Sequence, residues 1–199
     1  GWESKVEKGR GWAYGGELLI EKTIGKTTGW IGYTLSWTER QFENVNFGKV
    51  FPAKYDRRHD LSIVLTHEFN ERFDIGITWV YGTGTAATLG VMQYPPPNIP
   101  GYSSYYFYSD LTEYEGRNNY RTPAYHRLDA GLNFHKQKKR GIRTWSVSIY
   151  NAYNRKNPFF LDWGYEDYNS DTGKYYSKPV LKQYSLFPII PSVSYSFRF

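Results

Sequence analysis

Residues 187–199 read Phe187-Pro-Ile-Ile-Pro-Ser-Val-Ser-Tyr-Ser-Phe-Arg-Phe199, and from Ser192 onward they alternate without a break. Val193, Tyr195, Phe197 and Phe199 fall on one face, while Ser192, Ser194, Ser196 and Arg198 fall on the other. A period of two marks a β-strand, because successive side chains of an extended chain point to opposite sides. Chain ends in soluble proteins usually fray and are polar. Two settings accept an amphipathic strand with an aromatic end: a half-buried strand of a β-sandwich, or the wall of an outer-membrane barrel with lipid outside and a wet interior. The rest of the chain separates them.

Working outward, the same alternation recurs. Trp12, Tyr14, Leu18 and Ile20 share one face of residues 11–22, opposite Glu17 and Glu21. Ile31, Tyr33, Leu35 and Trp37 oppose Gly32, Thr34, Ser36 and Thr38. Two further runs follow at 59–69 (Leu61, Ile63, Leu65, Phe69) and 73–81 (Phe73, Ile75, Ile77, Trp79, Tyr81). Leu128, Ala130, Leu132 and Phe134 then alternate with Asp129, Gly131, Asn133 and His135, and Trp145, Val147 and Ile149 with Thr144, Ser146 and Ser148. This predicts an all-β, antiparallel chain of roughly seven strands, each near the ~9–11 residues that cross a bilayer at a tilt.

The connections alternate between short (23–29, 70–72, 136–141) and long (42–57, 82–123, 154–181). A sandwich has no reason to put all its long loops at one end, whereas outer-membrane barrels have short periplasmic turns and long external loops. The inward positions are small or polar in strand after strand, and a sandwich core needs the opposite. The pattern therefore predicts a transmembrane β-barrel.

Composition agrees. Aromatics make up 20% of the chain, too many for disorder, with 20 Tyr and 7 Trp suited to interfacial girdles. No apolar run is long enough for a transmembrane helix. Cysteine is absent, so there is neither a disulfide framework nor a thiolate metal site. The net charge of +6 is scattered apart from the run 136–140, and no compact basic-aromatic motif points to nucleic acid. The opening Gly1-Trp-Glu-Ser-Lys lacks a signal-peptide pattern, so the expectation is a mature, processed or partial chain. An odd number of strands, descending first from an external loop, cannot close a single-chain barrel of even strand number. A larger barrel is therefore expected, of which this chain supplies the C-terminal third. The alternative is an eighth strand hidden in residues 1–10, which Trp2, Ser4 and Val6 allow.

Five stretches carry a resemblance: Tyr55-Asp-Arg-Arg-His-Asp-Leu61, Tyr81-Gly-Thr-Gly84, Arg121-Thr-Pro-Ala-Tyr-His-Arg-Leu-Asp129, Ile149-Tyr-Asn-Ala-Tyr-Asn-Arg155 and Phe187-Pro-Ile-Ile-Pro191. In this order, and with the terminal Phe199, they resemble the C-terminal barrel region of TonB-dependent outer-membrane receptors, over about residues 11–199. The resemblance implies a barrel of about 22 strands with a plugged lumen. It also implies a plug domain and N-terminal strands outside these residues, energy supplied by TonB through that plug, and the outer membrane of a Gram-negative bacterium as the location. The partners it suggests are the rest of the receptor, the barrel-assembly machinery, a surface lipoprotein lid and the lipid and lipopolysaccharide of the membrane. No cofactor is expected.

Candidate sites each carry a bland alternative. His59-Asp60 and His126-Arg-Leu-Asp129 recur where a strand descends from a long loop, and could bind metal or exchange protons. No third ligand stands at zinc spacing, which favours a lumen-facing polar network. Asp167-Tyr-Asn-Ser-Asp-Thr-Gly173 opens like a calcium loop, but Thr172 stands where glycine is needed and Lys178 replaces the closing Glu, so a turn is expected. Tyr102, Tyr105, Tyr106, Phe107 and Tyr108 are candidate contacts for an external ligand or partner, or pack a long loop on itself. Trp30, Trp37, Trp79 and Trp145 are assigned to lipid-interface girdles. Val193, Tyr195, Phe197 and Phe199 form the strand expected to be read during assembly. No arrangement is specific to catalysis, and the expected function is transport of a scarce nutrient. The alternatives are a small barrel that binds or adheres without transport, and a secreted sugar-binding sandwich.

Overall fold

The computed structural model describes residues 1–94, 111–169 and 175–199. It contains β1 (Gly9–Lys22), β2 (Thr27–Phe42), β3 (Phe51–Pro52), β4 (His59–Asn70), β5 (Phe73–Gly82), β6 (Ala86–Ala87), β7 (Met92–Tyr94), β8 (Leu111–Glu113), β9 (Tyr120–Arg121), β10 (Tyr125–Lys138), β11 (Gly141–Tyr150), β12 (Phe160–Asn169), β13 (Tyr175–Tyr184) and β14 (Ile190–Arg198). Among the described residues there is no α-helix, only 3-10 turns at Trp2–Lys5 and Asn46–Gly48. The main sheet runs β1-β2-β4-β5-β10-β11-β14, with β3 added to β2. Each alternating run read from the sequence lies in one of these long strands. The sheet is open, with β1 and β14 at its edges, and no closed barrel exists among the described residues.

The chain divides into two compact units, 1–15 with 36–57 and 85–122, and 16–35 with 58–84 and 123–199. In the second unit, register places like beside like. The row Tyr33, Leu61, Tyr81 is followed by Ile31, Ile63, Trp79, Leu128 and by Leu65, Ile77, Ala130, Ile149. Trp145 opposes Tyr195 and Val147 opposes Val193 on the same face. The other face holds Asp60, Ser62, Thr66, Asp74, Thr78, Asp129, Asn133, His135, Thr144, Ser146, Ser148, Ser192, Ser194 and Ser196, interrupted by Trp30, Val64 and Val80. The apolar face is uncovered: Val193 is 64% exposed, Tyr195 54% and Val147 44%. Among the described residues the buried hydrophobics are only Phe51, Ala53 and Ala86, all in the first unit. Among the described residues of the second unit, no hydrophobic side chain is buried.

Tight connections join the strands at one end. Gly29 and Gly141 have φ of +148° and +153°, and a Cβ on either would lie 2.0 Å from a neighbouring carbonyl, that of Val64 or Arg198. Only glycine lets the chain pass there. The basic run is less of a turn than its charge suggests: Lys136 and Lys138 continue β10, opposite Arg143 and Gly141.

One expectation is corrected, and one alternative is not met. Residues 154–181 are not simply a loop, because most of them build the β12–β13 hairpin, in which Leu161, Trp163 and Tyr165 oppose Gln183, Leu181 and Pro179. That alternation was obscured by the interleaved Asp162, Gly164 and Glu166, which are ordinarily turn or helix residues. Residues 1–10 hold no further strand before Gly9, since Trp2–Lys5 is a 3-10 turn. The segment 82–123 also carries short ladders, β6–β9 and β7–β8.

Candidate functional site

Two clusters of the second unit lie on its polar face. Near the ends of β10 and β11, the Arg127 guanidinium donates to Asp129 through Nε and Nη2, both at 2.9 Å. It also donates from Nη1 to the Tyr125 hydroxyl at 2.9 Å and the Tyr150 hydroxyl at 2.7 Å, and stacks 4.1 Å from the Tyr150 ring centre. The other Asp129 oxygen accepts the backbone N–H of Asn151 at 2.9 Å. Asn151 is 1% exposed, sits at φ 54°, and donates its amide to the carbonyls of Arg155 and Phe187. A cavity of about 240 Å³ opens here, lined by Tyr125, Tyr150, Phe159 and Phe187 among others.

Further along the strands, His135 bridges Asp74 (Nε2 to Oδ2, 2.6 Å) and Thr144 (Nδ1 to Oγ1, 2.9 Å). The Asn133 amide donates to the second Asp74 oxygen at 2.8 Å, and Ser146 donates to Asn133 at 2.6 Å. Hydroxyl, imidazole and carboxylate in this order are the parts of a hydrolytic triad. Here they are cross-strand neighbours, with Thr144 directly opposite His135. Strand N–H groups lie in the sheet plane, perpendicular to the side chains, so none converges on Thr144 as an oxyanion donor. The cluster braces three strands with a hydrogen-bonding surface suited to water or a hydrophilic solute.

In the first unit, Asp56 is buried, its side chain 0% exposed. Its carboxylate pairs with Arg121 and accepts the Thr38 N–H at 2.6 Å, while Arg121 Nη1 also donates to the Asp56 carbonyl at 2.7 Å. Beside it, Thr85 and Thr122 exchange bonds that tie β6 to β9. In the second unit, Thr83 Oγ1 accepts the N–H groups of Arg58 and His59 at 2.9 and 3.0 Å. The five sequence stretches are thus joined by hydrogen bonds: first to third through Asp56 and Arg121, first to second through Thr83, third to fourth through Asp129 and Asn151, fourth to fifth through Phe187. Sequence reading singled out the stretches but not Asp56, Arg121 or Asn151 as their connectors; an Asp and an Arg 65 positions apart leave no spacing signal.

The predicted site residues fare unevenly. The pleat separates His59 from Asp60 and His126 from Asp129, so neither pair can act on one ligand; the two carboxylates take the polar face of the sheet and the two imidazoles the other. His59 bonds to the Tyr33 hydroxyl at 2.8 Å and His126 to that of Tyr153 at 2.7 Å. Trp37, Trp79 and Trp145 belong to the apolar rows, and Trp79 and Trp145 register with Leu128 and Tyr195. Trp30 is the exception. It opposes Val64, between the rows of Thr28 with Thr66 and Gly32 with Ser62, on the polar face, and its ring lies over Gly32, whose added Cβ would meet it at 3.3 Å. Its neighbour Ile31 takes the apolar side, and the period of two allows no other outcome. Tyr102, Tyr105, Tyr106, Phe107 and Tyr108 lie outside the described residues, as does most of the calcium-like turn. Among the described residues no group of three or more His, Cys, Asp or Glu could hold a metal.

Compared with protein-family models, with curated proteins and with solved structures, the chain finds no match.

Proposed function

We propose that this chain is part of the transmembrane barrel of a TonB-dependent outer-membrane receptor, an active-transport protein for a scarce nutrient such as a siderophore, corrinoid, glycan or peptide. The carrying observation is the segregation of most apolar from most polar side chains across the six strands β2, β4, β5, β10, β11 and β14, with no buried hydrophobic side chain in these strands among the described residues. In water such a face is unfavourable by roughly 25 cal/mol per Å². Hydrocarbon against it removes that cost, and hydroxyls and carboxylates on the other side suit a wet lumen.

The open edges favour a larger barrel over a self-contained one. Unpaired strand edges in lipid cost several kcal/mol per group, so barrels there have none. A small binding or adhesion barrel would pair β1 with β14; these are the two edges of the open sheet. Further strands would complete the wall, the polar clusters would face the plug, and uptake would follow plug movement driven by TonB. The receptor family, as opposed to another large barrel, rests on the resemblance, and the bonds joining its five stretches support it.

The test is to isolate the protein from outer membranes in mild detergent and identify by denaturing mass spectrometry every polypeptide that travels with it. The proposal expects a plug and additional strands, in a longer chain or an accompanying one. A lone 199-residue species that resists SDS until heated points instead to the small barrel, and recovery without detergent to a soluble sandwich.

A further inference from the structure

The first unit holds a cavity of about 580 Å³ whose chemistry the transport reading does not use. Its floor is apolar and includes Phe42 and Phe51, whose rings stack 6.1 Å apart. Its walls carry three cations, Arg40, Lys54 and Arg117, and one carboxylate, Glu7. One Glu7 oxygen, Oε1, accepts the backbone and side-chain N–H groups of Asn44 at 3.3 and 3.1 Å, so the wall carries three positive charges against one negative. Among the described residues, no salt bridge engages any of the three cations. Arg117 stands beside the floor: its guanidinium lies 6.0 Å from the centre of the buried Phe51 ring, and its backbone N–H is held by the Asn46 side chain at 2.8 Å.

We infer that this cavity is a binding site for a small organic anion, a phosphate or carboxylate carried on an apolar body. The anion would pair with Arg117 and with the ammonium and guanidinium of Lys54 and Arg40, and the body would cover the floor. Charge-assisted bonds in a partly enclosed site are stronger than neutral ones. An apolar floor with a few charged side chains in the wall is the usual form of a pocket whose polar groups set orientation; the Lys54 ammonium, 5.7 Å from the centre of the Tyr55 ring, would turn toward the anion on binding. The inference draws on the first unit alone and stands whether or not the sheet spans a membrane.

The probe is phenyl phosphate, titrated calorimetrically into the purified protein in the assembly in which it is isolated. Phenyl glucoside, with the same ring and no charge, and inorganic phosphate, with the charge and no ring, are the comparators. Phenyl phosphate should bind at least about tenfold more tightly than either, and more weakly as salt rises. Arg117→Gln should weaken it by about tenfold or more, and Arg40→Gln with Lys54→Gln by a similar factor. Lys138→Gln, in β10, should leave it unchanged. The second variant pair keeps the test intact if Arg117→Gln does not fold, since both side chains are exposed. No binding of phenyl phosphate, equal binding of either comparator, or unchanged affinity in variants with native circular dichroism would overturn the inference.

Discussion

Removing either partner of the Asp56–Arg121 pair should destabilise the protein unequally, and the inequality follows from exposure. The Asp56 side chain is 0% exposed and that of Arg121 38%. In Arg121→Ala the carboxylate stays buried with the Thr38 N–H at 2.6 Å still donating to it but its cationic partner gone. Breaking a buried ion pair by removing one partner costs about 3–5 kcal/mol, and the exposure of Arg121 argues for the lower end, near 3. In Asp56→Ala the stranded group is a guanidinium that reaches water and keeps its bond to the residue 56 carbonyl. The loss there is the Thr38 bond and the ion pair, about 2 kcal/mol. Asp56→Asn, which can still accept from Thr38, should cost about 1 kcal/mol. Urea titration followed by tryptophan fluorescence reads these directly, since at a slope of about 2 kcal/mol per M the Arg121→Ala midpoint falls by ~1.5 M. The double variant should cost less than the sum by at least about 1 kcal/mol. Additive losses, or an Arg121→Ala variant as stable as the parent, would refute the reasoning.

Other outcomes follow from the same geometry. Gly141→Ala should lose about 1–3 kcal/mol in the same titration, because a Cβ would meet the Arg198 carbonyl at 2.0 Å. Gly16→Ala, where an added Cβ meets nothing within 4 Å, should change stability by less than about 0.5 kcal/mol. Asn151→Ala should cost about 2–3 kcal/mol, since it strands the Arg155 N–H and forces alanine to φ 54°; Asn151→Gly should recover part of that. Tyr195→Ala with Phe199→Ala should lower the amount of protein inserted into outer membranes, measured by quantitative immunoblot. Unchanged insertion would count against a role for this strand in assembly.

Strand positions were legible because the alternation is unbroken: Leu128 to His135 and Thr144 to Ile149 each fix a face by period alone. Residues 160–169 were not, since Asp162, Gly164 and Glu166 imitate a turn while their partners, Lys182, Val180 and Lys178, lie beyond it in the next strand. Trp30 shows the limit of residue type as a guide. A tryptophan beside an amphipathic run suggests an interface, yet Ile31 had already taken the apolar side. The connectors Asp56, Arg121 and Asn151 were invisible for a different reason: long-range hydrogen bonds leave no periodic trace, and three-dimensional proximity alone reveals them.

The most direct measurement is site-specific lipid quenching. The chain has no cysteine, so single cysteines can be introduced at Ala130, Leu132 and Val147 on the apolar face and at Gly131, Asn133 and Ser146 on the polar one, and labelled with an environment-sensitive fluorophore. In bilayers containing doxyl-labelled acyl chains, a membrane wall predicts quenching at the first three positions and none at the second three, a period of two along β10. Equal quenching on both faces, or none on either, would contradict it.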